Sequence, residues 1–501
     1  MRQAPIRFFH RQQIVEVRGV APTTSVLTWL REHARCTGSK EGCAEGDCGA
    51  CTVMVGDLQD DGQLRLRAVN SCIQFLPTLD GKALITIEDL PSLSGQASLK
   101  GVQPVRHPAQ QALVDCHGSQ CGFCTPGFAM TLAALYERTH EASDTAPTRQ
   151  AINDELSGNL CRCTGYRPIV DAGQAMFELP AQRMDRGPTL AALHHLRSGQ
   201  GLHYQSEHGS FWAPRSLDEL AALSMQHPQA KILAGGTDVA LWVNKQFKRL
   251  GDIIYVGQVS ELCQITKDAD TLTIGATASL EQAWAALVAE VPSLRELWLR
   301  FAGLPIRNAG TLGGNIANGS PIGDGAPALM ALGASIVLRK GSRTRSLMLQ
   351  DFYLDYMKNQ LESGEFVQAL TVPLPDASWV VRGYKISKRY DCDISAVCAG
   401  LALQLNASGE VVGSRFAFGG MAATVKRATR LEAALAGKPW AERTIEDAIP
   451  LLEQDFTPLS DMRASASYRM RVAQNLLRRF WLETRLDAPL SSAQTTVWRQ
   501  G

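Results

Sequence analysis

The cysteines of this chain are crowded and regularly spaced, and their spacing constrains the fold more than any other feature. Ten of the thirteen lie in the first third of the sequence. The first close set reads Cys43-x4-Cys48-x2-Cys51, and Cys72 follows after twenty intervening residues. Thiolates spaced four and two residues apart, with a distant fourth, are the ligand pattern of a plant-type [2Fe–2S] cluster. The segment 43–72 is therefore predicted to fold round one such cluster.

The alternative for this set is a structural zinc ion, because four thiolates also bind Zn²⁺. Zinc ribbons usually pair two C-x2-C knuckles, and this loop departs from that arrangement. Its glycines Gly42, Gly46 and Gly49 let the backbone turn tightly and bring N–H groups towards the sulfurs. The loop favours a [2Fe–2S] cluster over zinc.

A second set of four cysteines is split into two pairs, Cys121-x2-Cys124 and Cys161-x-Cys163. Each pair stands just before a predicted helix, and the partial positive charge of a helix N-terminus suits an anionic thiolate cluster. This set predicts a second [2Fe–2S] cluster, in a helical domain, with zinc again the alternative. The cysteines that match no ligand spacing, and that we expect to be small buried packing residues, are Cys36, Cys116, Cys263, Cys392 and Cys398.

Composition excludes several classes of function. The 501 residues carry 50 basic and 49 acidic side chains, so no electrostatic binder of nucleic acid is expected. No apolar run approaches the roughly 20 residues of a membrane-spanning helix, and the N-terminus shows no apolar signal core. We therefore expect a cytoplasmic protein of several domains whose thiols are reduced.

The pattern of apolar residues predicts a small mixed sheet at the N-terminus and helices after it. A hairpin is expected over 6–9 and 14–17, followed by a capped helix over 24–33. Helices are predicted to dominate from 108 to 178. The segment 181–205 contains scattered Pro and Gly, shows no clear period and is predicted to be a linker.

Two glycine-rich stretches stand out in the second half of the chain, Ile232–Val239 and Thr311–Asp324. Neither matches the G-x-G-x-x-G of a Rossmann unit or the G-x4-G-K-[ST] of a phosphate loop. Both combine close backbone approach with short hydroxyl, amide and carboxylate groups, which suits a pyrophosphate and a polyol. The alternative is that each stretch is a tight turn between strands.

Seven stretches, spread over essentially the whole chain, match the motifs of one known family. They are Lys40–Met54, His117–Gly127, Gly158–Pro168, Ala234–Asp238, Thr311–Asn315, Ser320–Asp324 and Asp461–Arg469. On these residues the chain resembles the iron–sulfur/flavin part of the molybdenum hydroxylases, most closely that of the bacterial xanthine dehydrogenase type.

The resemblance implies a multidomain α+β fold. The expected parts are a β-grasp ferredoxin-like [2Fe–2S] domain over 1–88, a helical [2Fe–2S] domain over 89–180, a linker over 181–205, a vanillyl-alcohol-oxidase-type FAD domain over 206–380 and a small α+β C-terminal domain over 381–501.

The resemblance also assigns cofactor residues. The first cluster is expected on Cys43, Cys48, Cys51 and Cys72, and the second on Cys121, Cys124, Cys161 and Cys163. The residues expected to contact FAD are Leu233, Ala234, Gly235, Gly236, Thr237, Asp238, Phe301, Thr311, Gly313, Gly314, Asn315, Ser320, Asp324, Leu370 and Lys385. Plain core packing is the alternative for Phe301 and Leu370, and a solvated strand-end charge is the alternative for Lys385.

The function that the resemblance implies is electron transfer. Electrons from a molybdopterin-binding large subunit, which hydroxylates hypoxanthine and xanthine to urate, would pass through both clusters to FAD and on to NAD⁺. Gln120 would approach the pterin, and Gln120 and Cys163 would face that subunit, although Gln120 could equally be an ordinary polar loop residue. The segment Lys385–Asp393 would border the flavin and influence the choice between NAD⁺ and O₂, with an exposed charged turn as the alternative.

Two other interpretations of the sequence are possible. The same architecture could serve an aldehyde or other heteroaromatic molybdenum hydroxylase, although the fusion of both cluster domains ahead of the flavin domain favours the xanthine type. A non-enzymatic, zinc-stabilised assembly protein is the candidate from another class. In the family the complex is expected to be a dimer of heterodimers.

Overall fold

The computed structural model describes residues 2–93, 106–143 and 145–496 of the chain. These residues divide into two compact units. The first comprises Met1–Ser260 together with Ala302–Gly310, and the second comprises Glu261–Phe301 together with Thr311–Gly501.

The longest strands, of eight or nine residues, lie in the second unit. In chain order they are β1 (Arg2–Gln3), β2 (Ile6–His10), β3 (Gln13–Val17), β4 (Thr52–Leu58), β5 (Leu64–Asn70), β6 (Ala83–Ile85), β7 (Leu202–Ser206), β8 (Gly209–Ala213), β9 (Lys231–Leu233), β10 (Ile253–Tyr255), β11 (Ile265–Lys267), β12 (Thr271–Gly275), β13 (Ser335–Lys340), β14 (Arg343–Met348), β15 (Tyr353–Asp355), β16 (Lys358–Asn359), β17 (Phe366–Pro373), β18 (Trp379–Ile386), β19 (Val397–Leu405), β20 (Val411–Gly419) and β21 (Lys426–Arg427).

Most of the helices are shorter than three turns. In chain order they are α1 (Val26–Thr28), α2 (Pro108–Asp115), α3 (Thr125–Ala142), α4 (Arg149–Leu156), α5 (Arg167–Ala175), α6 (Gly187–Leu196), α7 (Leu217–Gln226), α8 (Val239–Asn244), α9 (Leu280–Glu290), α10 (Arg295–Leu299), α11 (Leu304–Ala309), α12 (Leu312–Asn318), α13 (Gly325–Leu332), α14 (Leu349–Phe352), α15 (Thr429–Leu435), α16 (Glu442–Ala448), α17 (Leu452–Asp455), α18 (Ala466–Thr484) and α19 (Ser492–Thr495).

The N-terminal sheet of the first unit has the strand order β3-β2-β6-β4-β5. The predicted hairpin is present as the antiparallel pair β2–β3, and β2 also pairs in parallel with β6. The predicted helix begins after Ser25, whose hydroxyl accepts a hydrogen bond from the Thr28 N–H, and continues as a π-helix over Trp29–His33. The sheet and this helix share one core with the β7–β10 region of the same unit.

The helices α2 to α5 form a second core with one face of the N-terminal sheet. The longest of them, α3, buries nearly its whole first three turns, because apolar residues occur on all its sides there. This core also takes in Leu193 and Leu196 of α6. The segment 181–205, in which the sequence shows no clear period, therefore does contain regular structure, namely α6 and the start of β7. Gly187 and Pro188, taken as linker residues, stand at the start of α6, where proline is well tolerated.

A second sheet of the first unit has the order β1-β7-β8-β10-β9. Its strands β8, β10 and β9 are parallel, with α7 and α8 in the connections. The short segment Ala302–Gly310, which carries α11, also belongs to this unit. There the Asn308 side chain donates to the Ala68 carbonyl at 3.0 Å, and the Leu304 N–H donates to the Ser157 carbonyl at 3.2 Å.

The second unit contains a five-stranded sheet, β11-β12-β17-β13-β14, and a four-stranded antiparallel sheet, β18-β19-β20-β21. The second of these sheets packs with α15, α16 and α18 round a core that includes Phe416, Phe418 and Phe480. The expected multidomain α+β fold is confirmed. Over 2–93, 106–143 and 145–496, no helix is long and apolar enough to cross a membrane.

A half-buried ion network ties together parts of the first unit that are distant in sequence. Asp57 pairs with Arg67 at 2.5 Å and with Lys82 at 3.5 Å. Lys82 donates to the Tyr255 hydroxyl at 3.2 Å, and Arg67 donates to the Asn308 carbonyl at 3.1 Å. Burial raises the pKa of Asp57, but the charges of Arg67 and Lys82 outweigh it and hold that pKa well below its usual range.

Replacing Asp57 by Asn is expected to lower the free energy of unfolding by about 3 kcal/mol at pH 7, because two largely desolvated cations lose their shared partner. Since the pKa of Asp57 is depressed in the folded chain, its stabilisation is present above the unfolded pKa of about 4 and is lost as the pH falls through the folded value. The difference in stability between the two proteins should therefore narrow as the pH falls from 7 to about 3, as measured by denaturant unfolding at both pH values.

Asp60→Asn is the matched control for Asp57→Asn. Asp60 pairs with Arg197 at 3.0 Å, and both side chains are mostly exposed, so its loss is expected to cost no more than about 1 kcal/mol. Equal losses in the free energy of unfolding from the two variants at pH 7 would contradict the stabilising role of the Asp57 network.

Candidate cofactor sites

The first set of cysteines comes together at one end of the N-terminal sheet. The Cys43 thiol is in hydrogen-bonding contact with those of Cys48 and Cys72, and Cys72 is in contact with Cys51 in turn. Cys51 and Cys72 are buried, whereas Cys43 and Cys48 are half-buried. The loop and the distant fourth residue, predicted from spacing to form one group, are thus adjacent in the fold.

Hydrogen-bond donors surround the sulfurs of this set. The N–H groups of Glu45 and Cys48 donate to Cys43 Sγ at 3.5 and 3.4 Å, and Asn70 Nδ2 lies 3.8 Å from Cys51 Sγ. Hydrogen bonds from Cys48 and Cys72 lower the pKa of the Cys43 thiol. Donors of this kind stabilise thiolate, the form that binds metal.

The second set of cysteines comes together before the starts of α3 and α5, so the prediction that each pair precedes a helix is confirmed. The sulfurs of Cys121 and Cys163 lie 3.6 Å apart, and the thiols of Cys124 and Cys161 are in hydrogen-bonding contact. Thr164 Oγ1 donates to Cys161 Sγ at 3.2 Å, as do the N–H groups of Cys163 and Thr164, at 3.4 Å each. Burial raises the pKa of Cys161, but these donors outweigh it and lower that pKa.

Both sets fit a binuclear iron–sulfur cluster. Each offers four thiols with N–H donors aimed at a sulfur, which is the environment that such clusters require. In the part of the chain that the structure describes, no three His, Cys, Asp or Glu side chains converge as ligands of a single metal ion. In the first set the thiols of Cys48, Cys43, Cys72 and Cys51 contact one another in that order. In the second set Cys121 contacts Cys163 and Cys124 contacts Cys161.

The two sets are joined by a direct backbone contact. The N–H of Leu160 donates to the carbonyl of Cys48 at 3.0 Å. Leu160 directly precedes Cys161 in the chain. One hydrogen bond therefore links Cys48 of the first set to the residue next to Cys161 of the second set.

Close packing of small residues makes this contact possible. A Cβ added to Gly49, which has a φ of +70°, would overlap the carbonyl oxygen of Gly158. Asn159 donates to the Gly49 carbonyl at 3.2 Å, and its own side-chain oxygen accepts from Thr131 Oγ1 at 2.8 Å. Asn159 is buried, so these partners satisfy polar atoms that water cannot reach.

Exposure differs between the two sets. Cys121 and Cys163 are exposed, and so is the neighbouring Gln120. Cys51 and Cys72, in contrast, are buried. The second set therefore opens onto the surface of the first unit, whereas the first set is more enclosed.

In the first unit the glycine loop Leu233–Asp238 connects β9 to α8. A Cβ added to Gly235 would overlap the Ala309 carbonyl oxygen, and Gly236 has a φ of +76°, so both positions favour glycine. Among the described residues, the backbone N–H groups of Gly235, Gly236 and Thr237 donate no hydrogen bond. Free donors in a tight loop suit the oxygens of a diphosphate.

In the second unit the other glycine stretch begins at α12. Thr311 caps this helix, and its hydroxyl accepts from the Gly314 N–H at 3.1 Å. The Gly313 N–H donates to the Ala276 carbonyl at 3.0 Å, and a Cβ on Gly313 would lie 2.6 Å from Ala276 Cβ. The first residue of α13 is Gly325. A Cβ added to Gly325 would lie 2.6 Å from Asn315 Oδ1, so the Asn315 side chain packs directly against the start of α13.

A buried polar triad follows in the second unit. Lys385 Nζ lies 2.6 Å from Asp324 Oδ2 and donates to Ser395 Oγ at 2.9 Å, and Ser395 donates to Asp324 Oδ1 at 2.6 Å. Lys385 is only 4% exposed, so the alternative of a solvated strand-end charge is wrong. Ser320 accepts from the Ile322 N–H at 3.4 Å and takes no part in the triad.

The two apolar residues assigned to FAD both pack within the second unit. Phe301 is nearly buried, with its ring centroid 5.9 Å from that of Trp284. Leu370 lies in β17 between Ile274 and Ile336 and is fully buried. Both side chains therefore contribute to the core of this unit.

The segment Lys385–Asp393 is exposed at Lys388, Arg389 and Tyr390, as the alternative of an exposed charged turn expects, and it is anchored by Arg300. Arg300 donates to the Tyr390 carbonyl at 2.8 Å and to Ser387 Oγ at 3.3 Å. Its guanidinium also lies 4.9 Å from the centroid of the Tyr390 ring, within range of a cation–π contact.

The five cysteines outside both sets differ in burial. Cys36, Cys392 and Cys398 are buried, as expected, and Cys116 is half-buried. Cys263 is exposed, because it ends a short 3₁₀ turn at the surface, so the expectation of a buried packing residue is wrong there.

Sequence reasoning missed five residues that support these sites. Asn159 and Thr164 lie inside a motif that the resemblance already used, so their positions carried a signal. Gln74, Asn244 and Ser395 lie outside every motif, and only the fold brings them to the sites.

Four families of domains match the chain in succession. They are a 2Fe–2S iron–sulfur cluster binding domain over residues 8–75, a [2Fe–2S] binding domain over 95–174, an FAD binding domain in molybdopterin dehydrogenase over 204–375 and a CO dehydrogenase flavoprotein C-terminal domain over 382–484.

Whole-chain comparisons agree with these matches. A xanthine dehydrogenase of Emericella nidulans is 30% identical over 98% of this chain, and aldehyde oxidase 4 of Cavia porcellus is 28% identical over 95%. This chain spans only 40% and 39% of their respective lengths. A solved carbon monoxide dehydrogenase from Hydrogenophaga pseudoflava superposes with a TM-score of 0.51 at 27% identity, covering 54% of this chain and 94% of that one.

The fold and the four matches define an iron–sulfur flavoprotein with two [2Fe–2S]-binding domains and one FAD-binding domain. More particularly, the chain belongs to the [2Fe–2S]/FAD electron-transfer chains of the molybdenum hydroxylase family. The resemblance predicted from the cysteine and glycine motifs is confirmed.

Gly49→Ala is expected to destabilise the contact between the two cysteine sets by about 2–3 kcal/mol, because the added methyl overlaps Gly158 and also strains a left-handed backbone. Iron and sulfide analysis of the purified protein, with denaturant unfolding, should show reduced cluster content and lower stability.

Gly62→Ala separates these two effects. Gly62 has a φ of +80°, but an added Cβ would meet nothing within 4 Å. It should lose only about 1 kcal/mol from backbone strain and keep full iron content. Equal iron loss in both variants would show that strain, and not the packed contact, is responsible.

Proposed function

We propose that this chain is the electron-transfer small subunit of a xanthine dehydrogenase, and that it passes electrons from a molybdopterin-binding large subunit to NAD⁺. The observation that carries the proposal is the backbone contact between the two cysteine sets, the Leu160 N–H donating to the Cys48 carbonyl at 3.0 Å. A contact of this kind is what a relay between two redox centres needs.

The cysteine assignments are part of the proposal. Cys43, Cys48, Cys51 and Cys72 hold one [2Fe–2S] cluster, and Cys121, Cys124, Cys161 and Cys163 hold the other. Iron–sulfur clusters pass single electrons and FAD exchanges both single electrons and hydride, so the two kinds of cofactor together connect one-electron transfer to the reduction of NAD⁺.

The FAD assignments are proposed unit by unit. In the first unit, the free N–H groups of Gly235, Gly236 and Thr237 hold the diphosphate, with the rest of Leu233–Asp238 shaping the loop. In the second unit, the residues proposed to contact FAD are Phe301, Thr311, Gly313, Gly314, Asn315, Ser320, Asp324, Leu370 and Lys385. There the buried Lys385–Asp324 pair fixes the start of α13.

Electrons enter, in this proposal, at the exposed edge of the second cluster. Gln120, Cys121 and Cys163 are exposed there and offer a surface to the large subunit. The more enclosed first cluster then hands electrons on to FAD. The domain division at 88, 180, 205 and 380, a dimer of heterodimers and a reducing cytoplasmic location complete the proposal. The last fits thirteen cysteines of which none forms a disulfide.

Xanthine is the proposed substrate of the complex because xanthine dehydrogenases match nearly the whole chain. The aldehyde oxidase of Cavia porcellus matches at 28% identity, so an aldehyde or heteroaromatic hydroxylase is the second candidate. The large subunit would hold the substrate in either case.

Copurification with the large subunit and an assay of NADH formation test the whole proposal. Xanthine-dependent NADH formation is expected. Turnover with aldehydes but not with xanthine would favour the second candidate, and turnover with O₂ alone would contradict the assignment of NAD⁺ as acceptor.

Gln120→Ala in the same complex is expected to slow reduction of the clusters by substrate several-fold and to leave their reduction by dithionite unchanged. Gln226→Ala, at the exposed end of α7, is the matched control and should change neither rate. Unchanged substrate reduction in Gln120→Ala would contradict the proposed entry point.

Cys72→Ser is expected to abolish the electron paramagnetic resonance signal of one cluster and to leave the other, because serine replaces one of four thiolate ligands. Cys36→Ser alters a thiol of the same domain that is equally buried but outside both sets, and both signals should survive. Loss of a signal in Cys36→Ser, or of none in Cys72→Ser, would overturn the ligand assignment.

A further inference from the structure

Helix α8 contacts the first cysteine set through one side chain. Asn244, the last residue of α8, donates through Nδ2 to the carbonyl of Cys72 at 2.9 Å and to that of Ala44 at 3.1 Å. Cys72 is the distant fourth member of the set, and Ala44 follows Cys43 directly. One amide group therefore joins the two separate segments that carry the set.

The contact at Ala44 bears on the sulfur environment. Ala44 has a φ of +56°, a left-handed conformation that costs a residue with a Cβ about 1–2 kcal/mol. This turn aims the following N–H, that of Glu45, at Cys43 Sγ. By holding the Ala44 carbonyl, Asn244 stabilises the strained turn and with it a hydrogen bond to a cluster sulfur.

The same segments touch the glycine loop that precedes α8. Gln74, two residues after Cys72, donates to the Gly235 carbonyl at 3.2 Å. A Cβ on Gly236 would lie 2.9 Å from the Ile73 carbonyl oxygen, so these backbones pack without a gap. The fourth cysteine and the proposed diphosphate loop are consequently parts of one packed junction within the first unit.

We propose that Asn244 is a positioning residue that couples the first cluster to the FAD loop. Its amide fixes the positions of Ala44 and Cys72 relative to α8. The contacts of Gln74 and Ile73 then fix the positions of Gly235 and Gly236 relative to Cys72. The inference rests on the proposed function, because it takes the cysteine set as a cluster site and the loop as an FAD site.

Asn244→Asp is the sharpest test, because it keeps the shape of the side chain, removes both donors and sets a carboxylate against two carbonyl oxygens. Two properties of the full-length protein should change together. The midpoint potential of one cluster, followed by electron paramagnetic resonance during a redox titration, should fall, because a hydrogen bond to sulfur is weakened and negative charge is added. The dissociation constant of FAD should rise roughly tenfold, the equivalent of losing one or two hydrogen bonds.

Gln246→Glu is the matched control. Gln246 is exposed and lies two residues beyond Asn244, so the exchange adds the same charge near the cluster without touching Ala44 or Cys72. It should leave FAD affinity unchanged and shift the potential much less. If Asn244→Asp fails to fold, Asn244→Ala removes the donors without adding charge and should still weaken FAD binding several-fold.

The outcomes distinguish a failure of the coupling through Asn244 from a failure of the proposed function. Equal effects from Asn244→Asp and Gln246→Glu, or a change in only one of the two properties, would overturn the coupling while leaving the proposed function standing. Unaltered FAD affinity in Asn244→Ala would overturn it as well. A wild-type protein without iron or FAD would instead refute the proposed function, and the coupling with it.

Discussion

The hydrogen bond from the Leu160 N–H to the Cys48 carbonyl is the contact on which the rest of this structure depends. It requires two loops from different parts of the sequence to approach at backbone distance, and side chains would prevent that. Gly49 and Gly158 meet there without a Cβ between them, and Asn159 satisfies the buried polar atoms that remain. The geometry of each cysteine set is therefore tied to that of the other.

Within the first unit, the two cysteine sets and the glycine loop follow one another in a fixed spatial order. The second set is exposed at Cys121 and Cys163, the first set is more enclosed, and the glycine loop adjoins the segment after Cys72. Along this order the contacts are backbone to backbone or through one amide side chain. A chain that moves electrons over successive short distances gains from such contacts, because each centre is fixed relative to the next.

The grouping of the cysteines into two sets could be predicted from the sequence almost completely, because the spacing of ligands is a local property and each set contains a motif of two or more close residues. The hairpin over β2 and β3 and the helix after Ser25 were also predictable, from alternation and from a capping residue. Helix α6 was missed because its first residues, Gly187 and Pro188, are typical of linkers. The core against which α6 packs is not evident from the local sequence.

Residues that act only through tertiary contacts could not be predicted in this way. Asn244 and Ser395 lie in no motif, and each acquires its role from segments far away in sequence. Lys385 was predicted as a candidate, but its burial against Asp324 follows from packing inside the second unit and not from its neighbours in the chain. Local patterns therefore specify which cysteines come together, whereas the residues that hold those cysteines in place depend on the complete fold.

The central claim is that two adjacent [2Fe–2S] clusters lie in one chain with FAD. The most direct measurement is metal and flavin analysis of the purified chain, combined with low-temperature electron paramagnetic resonance after reduction with dithionite. The account predicts iron and sulfide for two clusters, one FAD, and two distinct signals that broaden or split through magnetic interaction between close centres. A colourless protein containing zinc, or two signals with no interaction between them, would contradict it.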